Sequence, residues 1–368
     1  MRVPSAKVVF GKEERGEISA RIDSCLKSGN LSQGKFVKEF EDRWADYVGT
    51  KYAVAVNSGS SAIEVSMRIL GVKDKEVLVP VNTFVATAVS IMLSGGKVKF
   101  VDIDPNTLSI NLESLKNKVS KKTVGVVIVH IGGIITPEIK AIKRWCAEKG
   151  LWLFEDCAHA HGSALAGKRA GAFGIAGAYS FFATKVVTSG EGGMIVTNNS
   201  NFARKARLLR NHGKPKPWVS YYTCIGSNWR MSEINAIIGL THLKKLNAFI
   251  RSRKNTALIY SRYLKQVPGV RVILPASKSS WYKYIVILPK RVNRKTLKYS
   301  LMRKGINLAG EVYESPLHFQ PVFRDYLKGS FPVAEDICSR HICLPLYYGM
   351  TEKEAKFVAN ALLGLLKL

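Results

Sequence analysis

The chain has 368 residues, 46% hydrophobic and 23% charged, the proportions of a soluble globular protein with one large domain and a smaller one, or with two domains. Its formal net charge of +29 is abnormal, but the lysines and arginines are spread widely rather than gathered into an arm or a nucleic-acid motif; a phosphate-bearing substrate and a generally basic surface are expected, and nucleic acid is not. The N-terminus lacks the apolar core of a signal peptide, the longest apolar stretch (124–135) is too short to span a bilayer, and the six cysteines form no C-x-x-C pair, so a reducing cytoplasm and no membrane contact are expected.

Apolar side chains at helical spacing predict a helix over 35–48. KYAVAV (51–56) reads as a strand, leading through NSGSSA into the helical IEVSMRIL (63–70). KEVLVP (75–80) is a strand, 84–96 a helix with a glycine stop, and KVKFVDID (97–104) a strand. TVGVVIVH (123–130), the helix 137–150 and the strand LWLFED (151–156) continue the alternation, which indicates an α/β domain with a mainly parallel sheet. Ligands of such sheets bind at the carboxyl ends of the strands. Beyond about residue 230 the pattern turns helical: a long or broken helix over 231–266, a strand at 281–289, a helix over 294–306 and a closing amphipathic helix over 352–368. A large domain over 1–245 and a smaller α+β domain over 246–368 are expected.

Three short stretches carry chemistry. NSGSSA (57–62) joins a strand to a helix through small residues; it is either an anion cradle of free amides and hydroxyls or an ordinary N-cap. LFEDCAHAHG (153–162) sets two carboxylates, Glu155 and Asp156, at a strand end, facing opposite sides, so one of them reaches a given site. His159 and His161 follow without a supporting Cys or acidic cluster, and no metal is expected. In YSFFATKVVTSGEGGMIVTN (179–198), Lys185 follows a buried-strand pattern and is surrounded by small residues. Alone it reads as a surface lysine in a hairpin. With a phosphate cradle and a strand-end aspartate before it, the chain holds the three fixed points that pyridoxal phosphate requires: an anchor for the phosphate, a partner for the pyridine nitrogen, and an amine for the aldehyde carbon.

These motifs, together with SGNLSQGKFVKEFE, VNTFVATAVSIMLSGGKVKFVDIDPNTLSIN, IGSNWRMSEINAIIGLTHL and SPLHFQPVF, run in order along the whole chain. The sequence thereby resembles the sugar aminotransferases of the DegT/DnrJ/EryC1/StrS family, fold type I enzymes with a large pyridoxal-phosphate domain built on a mainly parallel mixed sheet. The resemblance implies Lys185 as the Schiff-base lysine and Asp156 as the partner of the pyridine nitrogen. It implies Gly59, Ser60, Ser61 and Ser180 around the phosphate, Phe84 against the cofactor ring, and His159 on its phenolic oxygen. Asn228 would reach the phosphate of a neighbouring subunit, making a homodimer with shared sites; Arg230 would serve substrate binding or the interface, and His318 would either contact the sugar substrate or be a structural histidine. Gly-Ser-Ser-Ala at 59–62 replaces a commoner Gly-Thr-Ala pattern, and Trp229 a usual tyrosine.

The activity implied is transfer of an amino group from L-glutamate, leaving 2-oxoglutarate, to a nucleotide-linked keto-deoxysugar, with pyridoxamine phosphate as the intermediate cofactor form. One rival is a sugar dehydratase of the same fold, in whose relatives the lysine is characteristically histidine. The other is a non-catalytic regulatory or nucleic-acid-binding member.

Overall fold

The structure is a computed structural model that describes residues 1–216, 218–265, 267–324 and 329–366. The ends of two expected helices, at Gln266 and at 367–368, lie outside the described residues.

Strands β1 (Tyr52–Val56), β2 (Glu76–Pro80), β3 (Lys97–Val101), β4 (Thr123–Val129) and β5 (Trp152–Asp156) are followed by the short hairpin β6 (Ala164–Leu165) and β7 (Lys168–Arg169). Then come β8 (Ala176–Ser180) and β9 (Gly193–Thr197). Without the hairpin these strands form one seven-stranded sheet in the order β1-β9-β8-β5-β4-β2-β3, in which β9 runs antiparallel to both its neighbours and the other pairs are parallel.

Strand residues alternate between two cores, as the two-residue period of a strand requires. Ala53, Ala55, Val126, Ile128 and Leu153 face one core, with the helix Lys35–Val48, the helix Ile139–Glu148 and the first part of the helix Glu233–Leu264. Val54, Val56, Val127, Val129 and Phe154 face the other, with the helices Gly59–Ile69, Val85–Leu93 and Ser200–Leu209. The large unit is thus three layers, helices on both faces of a buried sheet.

The smaller antiparallel sheet joins β10 (Arg271–Ile273), β11 (Tyr284–Ile287) and β12 (His341–Leu344). The expected long helix is continuous over Glu233–Leu264. Leu246, Phe249 and Ile250 belong to the large core, and Ala257, Tyr260 and Leu264 to the small one, so the hand-over falls inside this helix. Val3 also joins the small core, its amide donating to Gly305 O at 2.8 Å. The helix Lys12–Ser28 was not expected, although Ile18, Ile22 and Cys25 stand at helical spacing and face the large core.

Candidate active site

A cavity of about 390 Å³ opens where β5 and β8 end and the helix Gly59–Ile69 begins. Gly59, Ser60, Phe84, Asp156, His159, Ser180 and Lys185 all line it.

The helix start is built for close approach. Ser58 caps it, its hydroxyl accepting from Ser61 N at 3.1 Å, while the amides of Gly59 and Ser60 have no acceptor among the described residues. A Cβ on Gly59 would stand 2.7 Å from Ser180 Cβ, so glycine alone lets the helix N-terminus meet the end of β8. Ser58 is thus an ordinary N-cap, and the two amides beyond it are left facing the cavity. Ser61 departs from expectation: it is buried, its amide is taken by the cap, and its hydroxyl donates to Asn57 Oδ1 at 2.7 Å, so it does not face the cavity.

Asp156 and Glu155 separate as strand geometry dictates. Asp156, buried on the Phe154 side, accepts from the Thr87 hydroxyl at 2.8 Å and from Ala158 N at 3.0 Å. Thr83 in turn donates to Thr87 at 2.8 Å, which locks the carboxylate's rotamer. Glu155 points to the other core and accepts from the amides of Gly171 (2.7 Å), Phe173 (2.6 Å) and Gly174 (2.7 Å) and from His130 Nε2 (3.0 Å). It anchors the loop before β8. Glu155, His130 and Cys157 are the one group of three close metal-type ligands among the described residues, but burial pushes the Cys157 thiol well up and the Glu155 oxygens already hold donors.

Lys185 does not end a strand; it sits in the β8–β9 connection, its amide donating to Phe182 O at 2.9 Å. Its Nζ stands 4.8 Å from the centroid of the Tyr282 ring, which stacks on His159 at 4.3 Å. Burial, and then Lys185 and Lys283, hold His159 well below the usual histidine range, so it is neutral. Its Nδ1 accepts from Gly132 N at 3.4 Å, which leaves the proton on Nε2, 3.4 Å from the Tyr313 hydroxyl. Burial pushes the Tyr282 phenol up, but Lys185, Lys283, Thr184 and Arg253 outweigh it and hold the group below its ordinary value. Beneath the wall, His161 donates to Ser180 O at 2.8 Å and is held down to about 3, first by burial and then by Lys185.

Phe84 is 54% exposed and lies across the cavity mouth, 5.9 Å from Tyr313. An apolar ring left open at a cavity is a surface for a flat ligand. The opposite wall comes from the small unit: Tyr282, Lys283 and Gly310–Tyr313. Sequence reasoning missed this wall and Thr87. Lys283, a charge inside the buried run SSWYKYIVIL (279–288), offered the same kind of signal as Lys185.

Other expected residues lie elsewhere. His318 does not line the cavity: its Nε2 is 3.1 Å from Glu335 Oε1, and its ring packs on Phe319 and Phe331. In its own chain the imidazole is thus held by Glu335 and packed against two rings, the arrangement of a structural histidine. Asn228 is exposed, outside its own chain's cavity. Arg230 lines a separate cleft with Ser32, Gln33, Asn211, His212 and Lys214, and donates to Asn211 Oδ1 at 2.9 Å.

A lysine, a buried aspartate and a bare helix N-terminus converging at the strand ends of this sheet define a fold type I pyridoxal-phosphate enzyme. The donor set suits the cofactor: two free amides and a hydroxyl for a phosphate, a carboxylate for a protonated ring nitrogen, and an amine for an aldehyde. Residues 12–363 match the DegT/DnrJ/EryC1/StrS aminotransferase family, and the chain belongs to it. GDP-perosamine synthase of Vibrio cholerae is 32% identical over 349 residues, 93% of this chain and 94% of that protein. Helicobacter pylori PseC, an aminotransferase involved in the biosynthesis of pseudoaminic acid, superposes with a TM-score of 0.93 at 28% identity, covering 100% of both chains. The Escherichia coli GDP-4-keto-6-deoxy-D-mannose-3-dehydratase, solved with bound hydrated PLP, superposes with a TM-score of 0.91 at 28% identity, covering 98% of this chain and 99% of that one.

Proposed function

We propose that this protein transfers an amino group from L-glutamate to the keto group of a nucleotide-linked deoxysugar, as a homodimer whose subunits share their sites. The observation that carries the reading is the convergence of Lys185, Asp156 and the Gly59–Ser60 amides on one cavity in a chain of this family. Relatives that make amino sugars on GDP and dTDP carriers support the substrate class.

When bound, pyridoxal phosphate supplies an electron sink for the carbon that carries the amino group. The chain's residues divide the remaining work. Lys185 Nζ would hold the cofactor aldehyde and, when free, would move a proton at the donor's α-carbon. The Asp156 carboxylate would pair with the protonated ring nitrogen. The Gly59 and Ser60 amides and the Ser180 hydroxyl would hold the phosphate. Phe84 would pack against the ring, and His159 Nε2–H would hydrogen-bond its phenolic oxygen.

Asn228 is assigned to the partner's phosphate and Arg230 to the partner's substrate or the interface. The loop that carries Asn228 supports this. It exposes Trp218 (79%), Tyr221 (68%), Tyr222 (59%) and Ile225 (87%), a cluster that a second subunit would cover. Six free cysteines, five of them buried, fit the proposed cytoplasmic setting. No helix among the described residues is long and apolar enough to cross a membrane.

The test is incubation of the purified protein with L-glutamate and a panel of nucleotide keto-sugars, read by mass spectrometry. A product in which one oxygen is replaced by an amino group supports the reading. A product that has lost oxygen and gained no nitrogen would support the dehydratase reading, against which Lys185 stands. Salt-dependent DNA binding without turnover would support the regulatory reading.

A further inference from the structure

Two side chains with ammonium or guanidinium charge line the cavity, Lys185 and Lys283. The proposed chemistry occupies Lys185 and leaves Lys283 without a role. Lys283 lies one residue before β11, between Tyr282 and Tyr284, which are 9% and 0% exposed, and its amide donates to Gly132 O at 3.4 Å. This fixes the backbone and sends a half-buried side chain to the cavity wall.

Among the described residues no carboxylate lies within 4.0 Å of its ammonium group. The acids that share the cavity do not supply one. Glu311 is paired with Lys298 at 2.7 Å, Asp156 is held by Thr87 and Ala158, and Glu191 is exposed without an ion pair. A half-buried cation with no counter-ion is costly unless a ligand completes it. Its Nζ stands 5.2 Å from the same Tyr282 ring centroid that Lys185 approaches at 4.8 Å, so both amines border one ring of the cavity wall.

We infer that Lys283 is the seat of an oxyanion subsite on the small-unit wall, where it pairs with a carboxylate or phosphate carried by a substrate. The inference rests on the reading of this cavity as an aminotransferase site. Under that reading the oxyanion has two sources: a carboxylate of the amino donor and keto-acid product, or a phosphate of the nucleotide sugar.

The test is calorimetric binding of 2-oxoglutarate and, separately, of UDP, GDP and dTDP to the cofactor-loaded protein. Wild type is compared with Lys283→Gln, Lys283→Met and Lys283→Arg, each first shown to melt as wild type does. Loss of a charge-assisted bond should weaken one probe class by about 10- to 100-fold in both neutral variants, with most of the affinity kept by Lys283→Arg. A loss confined to 2-oxoglutarate assigns the donor carboxylate, and a loss confined to the nucleotides assigns the phosphate. Neutral variants that bind every probe as wild type does overturn the subsite, as does a wild type that binds none of them while carrying cofactor on Lys185. A protein in which borohydride fixes no cofactor to Lys185 overturns the aminotransferase reading instead.

Discussion

The two walls of the cavity are made differently. The large-unit wall comes from contiguous motifs at strand ends, Ser58–Ser60, Phe84–Thr87, Asp156–His159 and Ser180–Lys185, whose backbones are pinned by a seven-stranded sheet. The small-unit wall is Tyr282–Lys283 and Gly310–Tyr313, set against a three-stranded sheet. The first presents groups matched to a single cofactor, and the second presents phenols, a lysine and open backbone. A cofactor common to a family demands fixed geometry, whereas substrates differ, so the chemistry sits on the wall built at the ends of the larger sheet. Both walls rest on neutral buried histidines. His161 donates to Ser180 O, and His341 accepts from Val312 N at 3.0 Å while donating to Ile337 O at 2.9 Å.

If the division is real, the largest losses come from the large-unit wall. Lys185→Arg keeps the charge but not the nucleophile, and turnover should fall by about a thousandfold or more. In wild type, borohydride should fix the cofactor to Lys185; peptide mapping that finds the adduct on another lysine would remove the assignment. Asp156→Asn should lower turnover by about a hundredfold, with the fold unchanged, because an amide cannot hold the ring nitrogen protonated. Glu155→Gln makes the opposite trade. Its new amide nitrogen faces N–H donors, so stability should drop by about 2 kcal/mol while the turnover of the folded fraction stays near wild type. Equal effects of the two substitutions on turnover would erase the distinction between the faces of β5.

A milder effect tests whether the large-unit wall is complete within one chain. Equimolar Lys185→Ala and Asn228→Asp, mixed with verified subunit exchange, should recover about a quarter of wild-type activity, since half of the dimers then hold one intact site. No recovery would return Asn228 to a local role beside the helix that starts at Glu233.

Acid should loosen both walls. Burial, foremost, holds His161 down to about 3 and His341 to about 4. Each stays neutral in the fold where the unfolded chain takes up a proton below about pH 6.5, so the stability present above that pH is lost as pH falls toward 3–4. His161 alone should remove about 2 kcal/mol by about pH 5, and His161→Phe should flatten that part of the melting curve's pH dependence. A slope unchanged in that variant would refute the assignment. The smallest effect belongs to the small-unit wall: Tyr282→Phe keeps the ring stacked on His159 and should alter kcat/KM by only about threefold. A loss comparable with that of Asp156→Asn would make the two walls equivalent.

Legibility follows the same division. That Asp156 and Gly59 lie at one cavity was legible because strand-end chemistry is local: the residues before each show where a strand stops, and Lys185 follows five residues beyond such an end. Ser61 and His318 turn away from this chain's cavity, which the sequence could not show, because whether a hydroxyl bonds within its own helix start, or an imidazole finds a distant Glu335, depends on rotamer and tertiary contact. Tyr282 and Tyr313 reach the cavity only through the docking of the small unit, and no local spacing encodes that. The alternation of strands and helices in the large unit was legible from apolar periodicity, while the mostly charged helix Lys12–Ser28 carries a fainter trace in Ile18, Ile22 and Cys25.

The helix Glu233–Leu264 acts as a shaft through both units. Between Ile250 and Ala257, where it passes from one core to the other, it holds neither proline nor glycine, and the buried Arg253 ties it to Leu346 O at 2.7 Å. A jaw-like closing of one unit on the other would have to bend it there, where the Thr256 hydroxyl already bonds the Ser252 carbonyl at 3.4 Å. The spacing of the two walls is thereby tied to one element, and exchanging residues on the small-unit wall becomes the direct route to a different acceptor.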